Sequence, residues 1–146
     1  MSKEPVDIVG IGNAIVDVLS KTDDSFLLVN SLNKGAMTLI EEAQAETLYS
    51  KMGPGTEMSG GSAANTIAAF AAMGGKAGYI GKVSNDQLGK VFRHDICAAG
   101  VRFTTAPLED GPSTARCLIL ITPDAQRTMS TYLGACVWIA PSDLDE

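Results

Sequence analysis

The sequence is poor in the residues that metal and nucleophile chemistry most often uses. Of its 146 residues, one is a histidine, His94, and three are cysteines, at positions 97, 117 and 136, with no Cys-x-x-Cys spacing. Histidine-rich zinc sites are therefore excluded, as is any catalytic triad not built on His94. Cysteines of this number and spacing are typical of buried thiols in a reducing compartment, so we predict a cytoplasmic protein.

Long apolar segments and clusters of basic residues are also missing. The most apolar stretches, Ile67–Met73 and Leu118–Ile121, are too short to span a bilayer, and the first residues lack the apolar core of a signal peptide. The 11 lysines and arginines are scattered and are outnumbered by 17 acidic residues, which gives a net charge of −6. We therefore predict neither a membrane nor a nucleic-acid partner.

What is present is the composition of a folded domain. Hydrophobic residues make up 45% of the chain and charged residues 19%, which is not the composition of a disordered segment. The length corresponds to about one domain, large enough to bury a core without disulfides or a structural metal.

The hydrophobic pattern alternates between strands and helices up to Gly100 and then changes to strands joined by turns. Predicted strands cover residues 6–11, 14–19, 56–59, 76–83, 101–105, 114–122, 127–133 and 136–139. Predicted helices begin near residue 23, at a capping box over residues 38–41, at Ser62, near Asn85 and at Pro141. This order predicts a mainly parallel sheet with crossover helices, to which a small antiparallel layer is attached.

Asp17 interrupts the otherwise apolar strand over residues 14–19. A buried carboxylate is costly unless it is paired or faces a cleft. Strand alternation places Asp17 on one face together with Ile15 and Leu19. Two interpretations of Asp17 remain open. Either it lies on the solvent-exposed face of an edge strand, or its carboxylate accepts hydrogen bonds from ligand hydroxyls, with Asn13 beside it.

Two glycine motifs precede possible ligand sites. Gly10 and Gly12 follow the first strand, but Ile15 stands where a dinucleotide-binding loop requires its third glycine, which disfavours a nicotinamide cofactor. Gly60 and Gly61 precede a helix whose first turn carries Asn65. The pair is either an ordinary turn or a place where the backbone approaches a ligand closely.

Several ordered motifs together resemble the N-terminal signature of the ribokinase/PfkB family of carbohydrate kinases. These are Gly10–Asp17, Gly60–Asn65, Ile80–Val83, Gly111–Thr114 and Asp124–Arg127. Ser62, where ribokinases commonly have lysine, and Leu133-Gly-Ala are similar to the adenosine-kinase-like branch.

The resemblance implies an α/β fold with part of a ribokinase-like three-layer α/β/α core and a small antiparallel β-sheet lid. We assign residues 1–12, 41–100 and 134–146 to the core and residues 13–40 and 101–133 to the lid. It further implies an ATP- and Mg²⁺-dependent kinase that phosphorylates a primary hydroxyl of a nucleoside or sugar. The implied substrate-binding residues are Asn13, Asp17, Gly60, Gly61, Asn65 and Arg127, and apolar lid residues such as Ile15, Met37 and Leu133 are candidates for acceptor specificity.

One motif of the family does not occur in these 146 residues: the Gly-Ala-Gly-Asp sequence that supplies the anion hole and the general base. We therefore expect the chain to be the acceptor-binding, N-terminal part of a kinase, without catalytic residues and inactive alone. The alternative is a non-catalytic sugar- or nucleoside-binding module that forms a homodimer through the lid.

Overall fold

The computed structural model describes residues 5–144, so residues 1–4 and 145–146 of the predicted core ranges lie outside the described residues. The strands in this part of the chain are β1 Ile8–Ile11, β2 Ile15–Lys21, β3 Met37–Leu39, β4 Gly55–Gly60, β5 Ala77–Ile80, β6 Val101–Arg102, β7 Ala115–Ile121 and β8 Arg127–Tyr132. The helices are α1 Asp24–Val29, α2 Glu42–Lys51, α3 Ser62–Ala72 and α4 Gln87–Ala98, followed by 3₁₀ helices at Gly134–Trp138 and Pro141–Asp143.

The core sheet is parallel, as the strand–helix alternation predicts. Its order is β1-β5-β6, with β1 and β6 each parallel to β5. Helix α3 packs on β1 and β5, and α4 supplies Phe92 to an aromatic cluster with Tyr79 and Phe103. The ring centroids in this cluster lie 5.4–6.1 Å apart, a spacing at which tilted aromatic pairs stabilise one another beyond simple burial.

The lid is a five-stranded sheet in the order β3-β8-β7-β2-β4. Strand β4 therefore belongs to the lid sheet although residues 41–100 are predicted to form the core, and β6 belongs to the core sheet although residues 101–133 are predicted to form the lid. The sequence predicts antiparallel pairing, and two of the four pairs are antiparallel; the other two, β2–β7 and β3–β8, are parallel. Parallel pairing arises because β2 and β7 both leave the core in the same direction, whereas β4 and β8 return to it. Strand β2 is flanked on both sides, so the interpretation of Asp17 as part of an edge strand is wrong.

The predicted elements around residues 38–41 and 136–139 differ from the structure. The predicted capping box at residues 38–41 lies partly in strand β3, and α2 begins one turn later with Glu41 as its N-cap and Gln44 as the reciprocal partner. Residues 136–138 of the predicted strand over residues 136–139 instead belong to a 3₁₀ helix, with Cys136 buried. A short apolar run is compatible with either a strand or a buried helical turn, so periodicity alone could not separate them.

A buried polar network joins the beginning of α4 to the start of the lid. Asp86, the N-cap of α4, accepts hydrogen bonds from the Gly89 amide at 2.8 Å and from the Thr114 hydroxyl at 2.7 Å. The same carboxylate accepts from the Thr114 amide at 2.8 Å, while the Thr114 hydroxyl accepts from the Ser84 amide at 2.9 Å. Thr114 is completely buried, so this network holds the residue that precedes β7.

Helices α1 and α2 cover one face of the lid sheet. Leu27 of α1 and Leu48 of α2 belong to the same buried core as Val18, Leu118 and Leu120 of the sheet. Helix α4 also contacts the lid, at strands β2 and β4. No helix in the described part of the chain is long and apolar enough to cross a membrane.

We expect Thr114→Val to lower the free energy of unfolding by about 1–3 kcal/mol, because it leaves the partly buried Asp86 carboxylate and the Ser84 amide short of a partner. Urea unfolding measures the change. Thr66→Val is the control: Thr66 is exposed on helix α3 and its hydroxyl donates to the Ser62 carbonyl, so removal of the hydroxyl is expected to cost no more than about 0.5 kcal/mol. An equal loss of unfolding free energy in the two variants would contradict a stabilising role for the hydrogen bonds of Thr114.

Candidate functional site

The candidate site lies where two segments cross between the core sheet and the lid. One is the turn at Gly12 and Asn13 that connects β1 to β2, and the other is the Gly60–Gly61 pair between β4 and α3. Gly61 has φ +95°, and a Cβ there would lie 2.6 Å from the Asn13 carbonyl oxygen. A Cβ on Gly12 would lie 2.9 Å from the Ala63 side chain. The two segments are therefore in direct contact at this crossing, and only glycine leaves enough room for it.

Asp17 sits directly over Gly60. The two residues lie in adjacent strands, and a Cβ on Gly60 would overlap the Asp17 carboxylate. Asp17 is half-buried, and among residues 5–144 no hydrogen bond or ion pair reaches its carboxylate. Burial raises the pKa of Asp17 above its ordinary value. A desolvated carboxylate without a partner is the kind of group that gains most from a ligand hydroxyl.

The first turn of α3 adds hydrogen-bonding groups beside Asp17. Its N-cap is Gly61, and within the described residues no side chain caps the turn, in contrast to α1 and α4, which Asp23 and Asp86 cap. Asn65 is exposed in this turn, and its backbone amide donates to the Gly61 carbonyl at 2.9 Å. Uncapped backbone amides and a free carboxamide can bind oxygen atoms of a ligand.

The structure brings five of the six predicted site residues together and separates the sixth. Asn13, Asp17, Gly60, Gly61 and Asn65 all lie at the crossing. Arg127 is exposed at the start of β8, where it pairs with Ile121, four residues beyond Cys117, the partner of Asp17 in β7. The normal strand rise puts Arg127 roughly 13 Å further along the lid.

An apolar surface around Asp17 was largely missed by the sequence analysis. Strand register places the following side chains on the Asp17 face of the lid: Ile15, Leu19, Met37, Leu39, Met58, Cys117, Ile119 and Met129. Of these, Met37, Leu39 and Met58 are exposed. Ile15 and Met37 were predicted candidates, whereas the others could be assigned only once the pairing of the five strands was known.

No three His, Cys, Asp or Glu side chains within residues 5–144 cluster closely enough to hold a metal ion. Magnesium in kinases is usually bound by one or two carboxylates together with phosphate and water, so the predicted use of Mg²⁺ stays a prediction.

Residues 29–146 match the family model described as pfkB family carbohydrate kinase. The chain belongs to the pfkB family of carbohydrate kinases. It is similar to the solved adenosine kinase of Sinorhizobium meliloti, with 56% identity, a TM-score of 0.87 and coverage of 94% of this chain and 42% of that one. A probable sugar kinase from Rhizobium etli is 52% identical, with a TM-score of 0.88, over 96% of this chain and 42% of that one.

The chain also matches only part of its curated relatives. The aminoimidazole riboside kinase of Salmonella typhimurium is 29% identical over 119 residues, which is 80% of this chain and 36% of that protein. The chain thus spans about two-fifths of its solved neighbours and about a third of this curated relative. These likenesses agree with the predicted ribokinase-like α/β fold and its adenosine-kinase-like branch.

We expect Gly61→Ala to destabilise the protein more than Gly74→Ala. Both glycines have positive φ, +95° and +93°, but only at Gly61 does an added Cβ meet the Asn13 carbonyl; at Gly74 nothing lies within 4 Å. Both variants lose about 1–2 kcal/mol from the left-handed backbone, and Gly61→Ala is expected to lose at least ~1 kcal/mol more. Urea unfolding compares them, and indistinguishable midpoints would contradict the close crossing.

We expect Asp17→Asn to increase the free energy of unfolding at pH 7. A carboxyl whose pKa is raised by folding contributes stability that is present below its unfolded value of 3.8 and is lost as the pH rises through the folded value. The ionised form therefore costs stability at neutral pH, and the amide avoids that cost. The free energies of unfolding of the wild type and of Asp17→Asn are therefore expected to converge as the pH is lowered from 7 toward 3.8. Asp110→Asn, in an exposed turn, is the control. If Asp17→Asn raised the free energy of unfolding no more than Asp110→Asn does, the prediction would be contradicted.

Proposed function

We propose that this chain is the acceptor-binding part of an ATP-dependent kinase that phosphorylates a primary hydroxyl of a nucleoside. The observation that carries the proposal is the Asp17 carboxylate, half-buried and unpaired among residues 5–144, at the crossing of core and lid. Membership of the pfkB family supports a kinase, and the likeness to an adenosine kinase supports the nucleoside branch.

The chemistry of the crossing suits the hydroxyls of a ribose. A carboxylate accepts two hydrogen bonds from neighbouring hydroxyls, and bonds to a charged group are among the stronger ones. Asn13 and Asn65 each carry a carboxamide that both donates and accepts. Asp17 together with Asn65 would therefore hold and orient the sugar, with Asn13 and the amides that follow Gly61 completing the set.

The apolar face of the lid favours a nucleoside over a free sugar. A free sugar presents hydroxyls on all sides, which would leave polar groups unpaired against Met37, Leu39 and Met58. A nucleoside presents hydroxyls at one end, for Asp17, and a flat base at the other, for these exposed apolar side chains. Arg127, roughly 13 Å further along the same face, stays a predicted substrate-binding residue.

Phosphoryl transfer needs groups beyond those at the crossing. The transition state is stabilised by positioning and by positive charge around the transferred phosphoryl group, and ATP is the donor that we propose from the family. The catalytic Gly-Ala-Gly-Asp sequence is absent from the 146 residues. We therefore propose that this chain binds and orients the acceptor and does not transfer phosphate alone; a cytoplasmic location stays a prediction.

A homodimer through the lid remains the second candidate. It would use the outer edge of β3, whose three residues are all exposed. The outer edge of β4 is less available, because the Ser59 amide there donates to the Asp95 carboxylate of α4 at 3.1 Å. Exposed strand edges are natural pairing sites, and β3 offers a short one.

The proposal is tested by isothermal titration of the chain with adenosine, inosine, guanosine and ribose. Binding of at least one nucleoside is expected, and binding of ribose is expected to be weaker because the base contacts are lost. Asp17→Asn is expected to weaken nucleoside binding by at least ~1.5 kcal/mol, or about tenfold, through the loss of hydrogen bonds to a charged group.

The control for this titration is Asp110→Asn, which is expected to bind like the wild-type chain because Asp110 lies in an exposed turn away from the crossing. Unchanged nucleoside affinity in Asp17→Asn would remove Asp17 from the site. Tighter binding of ribose than of every nucleoside would replace the nucleoside by a sugar as the proposed acceptor.

A further inference from the structure

A second cavity, of about 540 Å³, lies on the covered side of the lid, between helix α2 and the connection from α1 to β3. Its volume is in the range of small-molecule sites. The cavity is lined by Leu32, Thr38, Leu48 and Ser130 among others. None of the residues at the Asp17 crossing lines it, so it is separate from the acceptor site.

Strand register shows which face of the lid this cavity touches. Thr38 of β3 pairs directly with Ser130 of β8, and Ser130 in turn pairs with Leu118, a core residue. Thr131, the next residue, points to the opposite face and donates a hydrogen bond to Cys117, the partner of Asp17. The cavity and the acceptor carboxylate are therefore separated by a single sheet.

Ser130 supplies the observation that points to a ligand. Ser130 is 2% exposed and lines the cavity, and none of the side-chain hydrogen bonds within residues 5–144 involves its hydroxyl. The hydroxyl therefore opens onto the cavity, where it can donate to and accept from a molecule that fills it. Thr38 places a second hydroxyl beside it.

The charges around the cavity narrow the chemistry of the ligand. No acidic side chain of the described residues lines it, which disfavours a cation. Lys51 is the one cationic lining residue there, and its ammonium already donates to the Asn30 side chain at 3.1 Å. A single, partly engaged lysine is a weak phosphate site compared with a cluster of cations or a bidentate arginine. The combination of leucine walls with hydroxyl and amide groups fits an uncharged molecule.

We propose that this cavity is a second ligand site, distinct from the acceptor site, for an uncharged molecule of nucleobase or nucleoside size. The ligand would hydrogen-bond to Ser130 and Thr38 and pack against Leu32 and Leu48. Because Ser130 and Thr131 are consecutive in β8, a ligand held by Ser130 contacts the strand that forms part of the acceptor face. The inference does not depend on the proposed function, since none of its residues takes part in acceptor binding.

The test is a titration of the isotope-labelled chain followed by the backbone amide resonances. The probes are adenine, adenosine and adenosine monophosphate. Saturable shifts are expected at Leu32, Thr47 and Ser130 with adenine and adenosine, and the phosphate is expected to add no affinity. Acceptor binding would be recorded separately, at Asp17, Gly61 and Asn65.

A cavity-filling variant separates binding in the cavity from a general response. Ala43 lines the cavity from an exposed position on α2, so Ala43→Phe is expected to weaken the shifts at Leu32, Thr47 and Ser130 by about tenfold or more. Ser50→Phe is the matched control, because Ser50 is exposed on the same helix but does not line the cavity. An unchanged unfolding midpoint confirms that each variant is folded.

The outcomes distinguish this inference from the proposed function. Shifts at Asp17, Gly61 and Asn65 without saturable shifts at the cavity residues would overturn the second site and leave the acceptor site standing. Cavity shifts that persist unchanged in Ala43→Phe would also overturn it. Markedly tighter binding of the monophosphate at the cavity residues would overturn the uncharged class of ligand.

Discussion

The contact between two backbone segments, at Asn13 and at Gly61, is the constraint on which the rest of the structure depends. A side chain on Gly61 would meet the Asn13 carbonyl, and one on Gly60 would meet the Asp17 carboxylate. Because neither is present, the lid strands leave the core side by side and α3 begins at the same point. The carboxylate, the uncapped first turn of α3 and the apolar face of the lid follow from this single close approach.

Asp17 differs from the carboxylates that stabilise the fold, because each of those has hydrogen-bond or ion-pair partners. Asp86 accepts bonds from both groups of Thr114, and Asp143 pairs with Lys82 at 2.7 Å in a largely buried ion pair. The hydrogen bond from Lys34, together with that from Thr122, lowers the pKa of Asp124 to about 2. Burial instead raises the pKa of Asp17. These structural carboxylates have partners within the described residues, whereas the carboxylate at the crossing has none there and is desolvated at a cost in stability.

How far the sequence predicts this molecule depends on whether a signal is local. The parallel core sheet, the alternation within β2 and the start of a helix near residue 23 follow from short-range patterns, and the structure confirms them. The pairing of β4 with β2 and the parallel pairing of β2 with β7 depend on contacts between distant segments, which periodicity does not encode. The same limit explains why Met58 and Met129 were missed. The predicted strand over residues 136–139 failed for another reason, because a short apolar run is compatible with a strand or a helical turn.

The order of the lid strands also has a consequence for how the chain folds as it is made. Ile15 pairs with Ala115, which is synthesised 100 positions later. At the usual rates of translation this delay lasts roughly 5 to 20 seconds, during which one edge of β2 lacks its partner. The lid cannot form as an independent unit, since β7 and β8 must arrive after most of the core. Such non-local pairing slows folding and leaves the apolar β2 open to association with other chains, so the growing polypeptide is most vulnerable to aggregation before Ile121 has emerged.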